Sequence, residues 1–325
     1  MSLIPLITVF GATGAQGGGL ARALLQTAHR PFRVRAVTRR PGSAAAQALA
    51  AMGAELCAAD LDDAASVEGA LHGAHGAFCV TAFWEHLSPE REVRQADHMA
   101  EGARRAGVRH VVWSTLEDTR RWLPADGRTM PVLRSAEGGH YNVPHYDGKG
   151  EADARFIDRG LPLTRLLTSF YWDNLIHFGM QPQRGRDGRL GFVLPMGDAR
   201  LPGIAAADIG ACAAALFRRG ETAIGHRIGI AGQHLSGAQM AAALARALGE
   251  PVQHLDMDPA DYARLGFPGA DDLANMFRFK RDFNAAYCAT RDVAATRALH
   301  PGLMDFERFL ARHADELPIA PAALA

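Results

Sequence analysis

A histidine, a tyrosine and a lysine lie close together in the stretch HYDGKGE, residues 145–151. A tyrosine four residues before a lysine shares its helix face, one turn away, and such a pair can serve proton transfer. Here His145 occupies that place, and Tyr146 lies only three residues before Lys149. Tyr146 is rotated by about 100° from His145 around a helix, so it points to a different spot. The stretch is therefore a candidate active site with an altered proton donor.

The sequence allows two different roles for Lys149. It could hold a bound cofactor through its ammonium group, or it could be a surface lysine paired with Asp153, one helical turn further on. Ser114, at the end of a predicted strand, could polarise a substrate through its hydroxyl group or simply bond the backbone. Candidates for catalysis are thus Lys149, Tyr146, His145 and Ser114.

A glycine-rich loop near the start of the chain has the spacing of a phosphate-binding loop. Gly11, Gly14 and Gly17 give the pattern G-x-x-G-x-x-G after an apolar run. The first glycine permits a tight turn, the second lets the backbone approach a pyrophosphate, and the third lets a helix pack on the strand. The helix N-terminus presents free N–H groups to the phosphates. The alternative is a loop that only closes a turn. The predicted dinucleotide site includes Gly11, Ala12, Thr13, Gly14, Ala15, Gln16 and Gly17.

The end of the second predicted strand indicates which dinucleotide binds. A protein that prefers NAD usually has an Asp or Glu there, bonded to the ribose 2′-hydroxyl group. This strand ends with Thr38-Arg39-Arg40 and has no acidic residue. Arg39 would hold a 2′-phosphate through bonds worth about 1.5–3 kcal/mol each, which favours NADP(H) roughly ten- to hundredfold. Arg40 and Ser43 are assigned to the same site, with a solvent-facing side chain as the alternative for each arginine.

Residues after the third and fourth predicted strands lie at the sheet edge where ligands bind. Asp60-Leu61-Asp62 could meet the adenine amino group, although Asp62 could instead cap the next helix. Thr81-Ala82-Phe83-Trp84 is predicted to lie beside the cofactor. Core packing is the alternative for its two aromatic rings.

The order of apolar segments predicts an α/β fold with a doubly wound parallel sheet. Short runs rich in β-branched residues alternate with helical stretches through the first half of the chain. The resulting Rossmann domain spans residues 1–168, and elements near 205–232 return to it. Residues 169–325 form a smaller, mixed α/β C-terminal lobe for substrate or partner. Strands are predicted at residues 6–10, 32–38, 54–60, 76–82, 109–115 and 161–167.

The segment 117–144 interrupts this alternation. It contains Pro124, Pro131 and Pro144, and it has no clear period. A connection of this length is usually a functional loop or a disordered one. A helix is predicted from Pro144 to Asp158, because proline suits the first helical position.

The composition argues against several classes of function. The 325 residues carry 35 basic and 35 acidic side chains, so no broad basic surface for nucleic acid is expected. Four cysteines without a C-x-x-C pair argue against a zinc site and fit a reducing, cytoplasmic compartment. The run LIPLITVF is too short to span a membrane and has no basic leader, so it is predicted to be a strand. His72 and His75 form an H-x-x-H that we interpret as part of a loop, not a metal site.

With these motifs in place, the chain resembles the NmrA-like family, an atypical branch of the short-chain dehydrogenase superfamily, over nearly its whole length. It is especially similar to the vertebrate NmrA-like redox sensors. The resemblance implies a Rossmann domain that binds NADP(H) and a regulatory role that responds to the NADPH/NADP ratio. It also implies that Lys149 and the residues Tyr171, Trp172, Asp173 and Asn174 lie on the nicotinamide side. The matching stretches are VFGATGAQGG, VTRRPGS, VTAFWE, HVVWSTLED, PHYDGKGE, YWDNL and LGFPGADDLANMFRF.

Two functions remain open at this point. In reductases of this superfamily a tyrosine donates the proton, and a neutral imidazole at His145 would be a poor replacement. The first interpretation is a redox-sensing regulator that binds NADP(H) and a regulatory protein partner. The second is an NADPH-dependent oxidoreductase acting on quinones or enones, with Lys149, Tyr146 or a water as the proton source. Association into a homodimer is a further hypothesis. Residues 265–279 either close the C-terminal lobe or form a partner-binding patch.

Overall fold

The structure is a computed structural model that describes residues 4–123 and 129–319. The chain divides into two compact units, one of residues 1–168 with 207–228 and the other of residues 169–206 with 229–325. Pro124, which we counted in the irregular segment, lies outside the described residues.

Most strands are short and several are buried along their whole length, which is typical of a sheet covered on both faces. In chain order the strands are β1 (Leu6–Val9), β2 (Arg33–Thr38), β3 (Glu55–Ala58), β4 (Gly76–Cys79), β5 (His110–Thr115), β6 (Leu133–Arg134), β7 (His140–Tyr141), β8 (Leu163–Leu167), β9 (Phe170–Tyr171), β10 (Gln183–Arg184), β11 (Leu190–Val193), β12 (Leu201–Ile204), β13 (Arg227–Gly229), β14 (Gln233–Leu235) and β15 (Val252–Leu255).

The helices alternate with the strands in the first unit and predominate in the second. In chain order the α-helices are α1 (Ala15–Leu25), α2 (Ala44–Ala51), α3 (Ala64–Leu71), α4 (Pro89–Arg105), α5 (Pro144–Ile157), α6 (Asn174–His177), α7 (Ala206–Arg219), α8 (Gly237–Leu248), α9 (Pro259–Ala263), α10 (Ala270–Asp282), α11 (Asn284–Ala289), α12 (Val293–Leu299) and α13 (Phe306–His313).

The central sheet of the first unit has the strand order β13-β8-β5-β4-β1-β2-β3. The strand pairs from β3 across to β8 are all parallel. This arrangement confirms the predicted doubly wound parallel sheet. The order reverses between β1 and β4, so a crevice opens at the carboxyl ends of these two strands. Strand β4 ends at Cys79, earlier than predicted, which leaves Thr81 outside the sheet at this crevice.

Part of the segment 117–144 is regular. A short 3₁₀ helix covers Thr119–Arg121, and β6 and β7 form an antiparallel hairpin. The hydroxyl groups of Ser135 and Tyr141 both donate hydrogen bonds to the Glu90 carboxylate at the start of α4. The sequence pattern missed this hairpin, because two-residue strands are too short to show a period.

The second unit contains two small sheets and the C-terminal helices. Strand β12 pairs with β9 and β14, and β11 pairs with β10 and β15. Helix α8 follows the cap residue Ser236, which forms a capping box with Gln239. Leu265 and Phe267 are exposed before α10, whereas Phe277 within α10 is buried. Among residues 4–123 and 129–319, no helix is both long and apolar enough to cross a lipid bilayer.

His110, at the start of β5, is a buried histidine outside the crevice. Its Nε2 atom lies 2.9 Å from the Thr164 hydroxyl oxygen. That hydroxyl group donates its single proton to the Ala223 carbonyl oxygen at 2.7 Å, so Nε2 of His110 must be the donor. Burial, with a smaller repulsion from His75, lowers the pKa of His110 to about 4.

Replacing His110 with glutamine should remove part of the pH dependence of stability. The unfolded histidine takes up its proton near pH 6.5, before the folded one does near pH 4. The contribution of His110 to the free energy of unfolding is therefore complete above about pH 6.5 and is lost as the pH falls toward about 4. Between about pH 7 and about pH 5, the free energy of unfolding should fall by about 2 kcal/mol more in the wild type than in His110→Gln. Urea unfolding at both pH values measures this, and equal losses would contradict a neutral, buried His110.

Candidate functional site

The glycine loop holds the start of α1 against β1. Gly11 has a φ of +61°, which glycine adopts without strain. A Cβ atom at Gly17 would lie 2.6 Å from the Phe10 carbonyl oxygen, so only glycine allows this close packing. The cap residue Gly14 forms no side-chain cap, and the first turn of α1 contains no acidic residue. The positive end of α1 is therefore not neutralised from within the helix.

Arg39 leaves the end of β2 and forms an ion pair with Glu85, which follows β4. One guanidinium nitrogen lies 2.8 and 2.7 Å from the two carboxylate oxygens. Because β1 lies between β2 and β4, the ion pair spans the carboxyl end of β1. The Arg39 side chain is 55% exposed, so a ligand can reach it. Arg40 is exposed, and the Ser43 hydroxyl group caps α2 by accepting the Ala46 N–H at 3.3 Å.

The carboxylates after β3 are held by neighbouring groups. Asp60 accepts the backbone N–H of Asp62 at 3.0 Å. Asp62 forms an ion pair with Arg91 and accepts a hydrogen bond from the Gln95 amide at 3.0 Å. The hydrogen bond from Arg91 is the main reason why the pKa of Asp62 lies below its usual value. The capping alternative for Asp62 is wrong, because Asp63 caps α3.

An aromatic cluster surrounds the position one turn before Lys149. After Thr81 and Ala82, a short 3₁₀ helix carries Phe83, which is buried, and Trp84, which is half-buried. The His145 ring lies 4.9 Å from the Trp84 ring, 5.8 Å from Phe83 and 4.8 Å from Tyr146, measured between centroids. His145 and Tyr146 are both buried. The place of the usual phenol is thus taken by an imidazole packed among rings.

Ser114 connects the end of β5 to the glycine loop. Its hydroxyl group donates a hydrogen bond of 2.7 Å to the Oε1 atom of Gln16, and both residues are buried. The alternative in which Ser114 bonds only the backbone is therefore wrong. Because β4 lies between β5 and β1, this bond crosses the carboxyl end of β4.

Asp147, within HYDGKGE, positions helix α5. The buried Asp147 carboxylate accepts the N–H and the hydroxyl group of Thr119 at 2.7 and 2.6 Å, and the N–H groups of Asn142 and Val143 at 2.8 and 3.0 Å. Desolvation raises the pKa of Asp147, and these hydrogen bonds partly oppose that effect. The carboxylate therefore ties the irregular segment to the start of α5.

Two glycines flank Lys149 because other chain segments approach very closely. A Cβ atom at Gly148 would lie 3.0 Å from the Pro89 Cα atom, and one at Gly150 would lie 2.7 Å from the Asp118 Cα atom. Helix α5 can therefore pack directly on the first turn of α4. This packing brings the first turn of α4, which includes Glu92, beside Lys149.

Lys149 is buried and paired with Glu92 of α4. Its Nζ atom lies 2.6 Å from the Thr81 hydroxyl oxygen, 3.3 Å from the Thr81 carbonyl oxygen and 2.8 Å from Oε2 of Glu92. The Thr81 hydroxyl group donates to the same Oε2 atom at 2.7 Å, which closes a triangle of three groups. Lys149 is 9% exposed, and Glu92 is 0% exposed. The sequence analysis missed Glu92; its only local cue is an acidic residue in the first turn of α4.

The alternative of a surface lysine paired with Asp153 is wrong. The Asp153 carboxylate accepts hydrogen bonds from the Trp113 indole N–H at 2.9 Å, from the Thr115 hydroxyl group at 2.7 Å and from Arg165 at 3.3 Å. It lies one turn from Lys149 along α5, but its hydrogen bonds go to residues of β5 and β8 in the central sheet.

Comparison with known proteins identifies the family. The model of the NmrA-like family matches residues 5–310. The chain belongs to the NmrA-like family. This confirms the predicted resemblance.

Two curated relatives of this NmrA-like chain are enzymes by name. The oxidoreductase notA' of Aspergillus versicolor, an NmrA-like family domain-containing protein, is 36% identical over 157 residues, or 44% of this chain and 43% of that protein. The chain thus aligns with less than half the length of this relative. An NAD(P)H azoreductase of Xenophilus azovorans is 29% identical over 273 residues, which cover 83% of this chain and 84% of the relative.

Two solved structures share the fold of the NmrA-like chain. The negative transcriptional regulator NmrA in complex with NADP has a TM-score of 0.75 and 23% identity, with 95% of each chain covered. The NADPH-dependent quinone oxidoreductase QOR2 of Escherichia coli, in complex with NADPH, has a TM-score of 0.67 and 23% identity, with 94% of this chain and 98% of that chain covered. At this identity both structures establish the fold alone.

The segment Tyr171-Trp172-Asp173-Asn174 of the NmrA-like chain lies in the second unit. Tyr171 pairs with Ile204 between β9 and β12, and the Asp173 carboxylate accepts the Ala206 N–H at 2.8 Å. The buried Trp172 ring packs on Phe306 at 5.4 Å between centroids. Contact of this segment with a nicotinamide stays a prediction.

Breaking the buried ion pair of this NmrA-like chain from one side should be far more damaging than removing it whole. Lys149→Met leaves the Glu92 carboxylate buried without its cation, so we expect a loss of about 3–5 kcal/mol in the free energy of unfolding. The double variant Lys149→Met/Glu92→Leu removes both charges and should recover most of that loss. Urea unfolding of the single and double variants tests this. Additive losses would contradict a direct Lys149–Glu92 interaction.

Proposed function

We propose that this NmrA-like protein binds NADP(H) at the carboxyl ends of β1, β2, β4 and β5 and acts as an NADPH-dependent oxidoreductase. The observation that carries the binding proposal is the combination of the glycine loop with Arg39 at the end of β2. The loop lets a pyrophosphate approach the uncapped N-terminus of α1, and Arg39 offers a positive charge where an NAD site has a carboxylate.

The ion pair between Arg39 and Glu85 does not prevent recognition of a 2′-phosphate. An exposed ion pair is worth about 0.2–1 kcal/mol, whereas a charge-assisted hydrogen bond to phosphate is worth about 1.5–3 kcal/mol. The phosphate interaction is therefore the stronger one, and Arg39 can exchange or share its partner. A preference for NADP(H) over NAD(H) follows from this difference.

The residues around Lys149 restrict the acceptors that the protein can reduce. Bound NADPH would supply a hydride. Alcohol–ketone chemistry then needs a fixed acid for the alkoxide, but His145 is packed among rings and the Ser114 proton is donated to Gln16. Hydride transfer to a quinone or enone gives a delocalised anion that water can protonate. We therefore assign quinones or enones as the substrate class, a choice supported by the names of the azoreductase relative and the quinone oxidoreductase neighbour.

A redox-sensing regulator is the second candidate function. The three contacts of the Lys149 ammonium with Thr81 and Glu92 favour the regulator, because this lysine has no hydrogen left for a substrate unless one of these contacts is exchanged. The likeness in fold to a negative transcriptional regulator also supports it. In this role a regulatory protein partner, or a second copy of the chain in a homodimer, would respond to the redox state of the cofactor.

Arg39→Ala should weaken the binding of NADP(H) about five- to hundredfold and leave the affinity for NAD(H) nearly unchanged. Isothermal titration with all four dinucleotides measures both effects. Arg33→Ala is the matched control, because Arg33 is an exposed arginine paired with a glutamate, Glu55, at the opposite end of β2. An unchanged affinity for NADPH in Arg39→Ala would remove the basis for the NADP(H) assignment.

The oxidoreductase proposal predicts steady oxidation of NADPH in the presence of a quinone or enone. Turnover should fall at least about tenfold in the double variant Lys149→Met/Glu92→Leu, which lacks the ammonium without burying an unpaired carboxylate. Loss of NADPH absorbance measures this. Tight NADPH binding without turnover, together with an oligomeric state that differs between NADPH and NADP, would instead favour the sensor.

A further inference from the structure

The chain contains only two lysines, Lys149 and Lys280, and every other member of its 35 Lys and Arg residues is an arginine. Both lysines are buried, whereas the surface ion pairs use arginine. A lysine ammonium is a compact charge with three donors, and a guanidinium group is a planar fork that needs more space. The pocket around Lys149 is therefore built for an ammonium group.

The three hydrogens of this ammonium have defined partners. Two strong contacts go to the Thr81 hydroxyl oxygen at 2.6 Å and to Glu92 at 2.8 Å, and the weaker third goes to the Thr81 carbonyl oxygen at 3.3 Å. Because the Thr81 hydroxyl group donates to Glu92, it can only accept from Lys149. These contacts fix Nζ beside the residues that follow β4, at the crevice.

Stability alone gives no reason to bury Glu92. Transferring a carboxylate and an ammonium group from water costs several kcal/mol per ion, and an apolar pair of similar volume is often as stable. The position of Glu92 in the first turn of α4 lowers that cost through the helix dipole. A buried carboxylate that holds the lysine in one geometry is better explained by a role in positioning.

The second carboxylate oxygen of Glu92 makes no comparable contact. Within the described part of the chain, its Oε1 atom is buried and has no hydrogen-bond partner. It lies 3.7 Å from Nε2 of His86, which is also buried and has no hydrogen-bond partner among these residues. Nδ1 of His86 accepts the Ser88 N–H at 3.1 Å, so the neutral ring carries its proton on Nε2, facing the carboxylate. Desolvation lowers the pKa of His86, which favours this neutral ring. Glu92 is thus bound tightly only on the side of Lys149 and Thr81.

We propose that Glu92 is a positioning residue that, together with the Thr81 hydroxyl group, fixes Lys149 for contact with the ribose of NADP(H). This inference rests on the proposed function. A ribose hydroxyl group would replace the 3.3 Å contact with the Thr81 carbonyl oxygen, while Glu92 and the Thr81 hydroxyl group keep their hold on Nζ. The affinity for the cofactor then depends on Glu92 through Lys149, without contact between Glu92 and the cofactor.

Amine labelling tests the hold on Lys149 without any cofactor. A water-soluble acetylating ester can modify Lys149, Lys280 and the N-terminal amine, and mass spectrometry separates the three. We expect Glu92→Gln to speed the modification of Lys149 at least about tenfold, with the rate at Lys280 unchanged. A rise at both lysines would indicate general unfolding, and an unchanged rate at Lys149 would show that Glu92 does not hold it. The unchanged rate would overturn the proposal, whereas general unfolding would leave the decision to the Thr81 variants.

Two conservative variants of Thr81 keep this test decisive if Glu92→Gln does not fold. Thr81→Ser retains the hydroxyl group and should label Lys149 at nearly the wild-type rate. Thr81→Val removes the hydroxyl group at similar volume and should label Lys149 several-fold faster, by about the loss of one charge-assisted hydrogen bond. Equal rates in the two variants would contradict the triangle of contacts.

A double-mutant cycle on NADPH affinity tests the link to the cofactor. Lys149→Met should weaken binding about ten- to hundredfold, and Glu92→Gln should weaken it about three- to tenfold. In the Lys149→Met background, Glu92→Gln should change the affinity by less than about twofold. The control Glu101→Gln neutralises a partly exposed carboxylate near the far end of the same helix and should have no effect on NADPH affinity.

The outcomes of the cycle separate the two proposals. If the wild type binds NADPH and the two losses add, Glu92 does not act through Lys149, and only the positioning role fails. If the wild type does not bind NADPH, the proposed function fails and the positioning role fails with it. Non-additive losses together with faster labelling in Glu92→Gln would support the assignment.

Discussion

The burial of one positive charge governs the arrangement of this site. Lys149 lies in a helix packed on α4, and its ammonium group is shielded from water, so a carboxylate had to lie within contact distance. Glu92 supplies that carboxylate, and Thr81 bridges the two. Gly148, beside Lys149, follows from the same demand, since a side chain there would hold α5 and α4 apart.

The strand ends that face the crevice are linked to one another by polar contacts. Arg39 reaches Glu85 across β1, Ser114 reaches Gln16 across β4, and Lys149 reaches Thr81. A ligand that enters must exchange partners with these groups instead of meeting bare donors. The existing contacts keep buried polar atoms satisfied in the absence of ligand. Because a ligand must replace them, the free energy gained from each new contact is smaller. The affinity for a ligand then depends on the difference between two interactions of similar strength. For Arg39 these are the ion pair with Glu85 and the hydrogen bond to a 2′-phosphate.

The replacement of a phenol by His145 changes the chemistry more than it changes the fold. The imidazole packs against Trp84, Phe83 and Tyr146, where a ring of any kind can contribute stacking. Under the proposed function His145 is not the source of protons, while the helix that carries it stays in place through Asp147. The same framework can accordingly serve either a reductase whose product accepts a proton from water or a protein that binds the cofactor without consuming it.

The sequence by itself determined the fold and the outline of the site. The alternation of apolar runs and helices predicted the parallel sheet, because parallel strands buried on both faces show continuous hydrophobic runs. The glycine spacing and the missing acid after β2 are local features, readable without a structure. Contacts between residues far apart in the chain could not be read in this way. Only the tertiary structure paired Lys149 with Glu92 instead of Asp153, and Ser114 with Gln16 instead of the backbone, since helix packing and strand order decide these pairs.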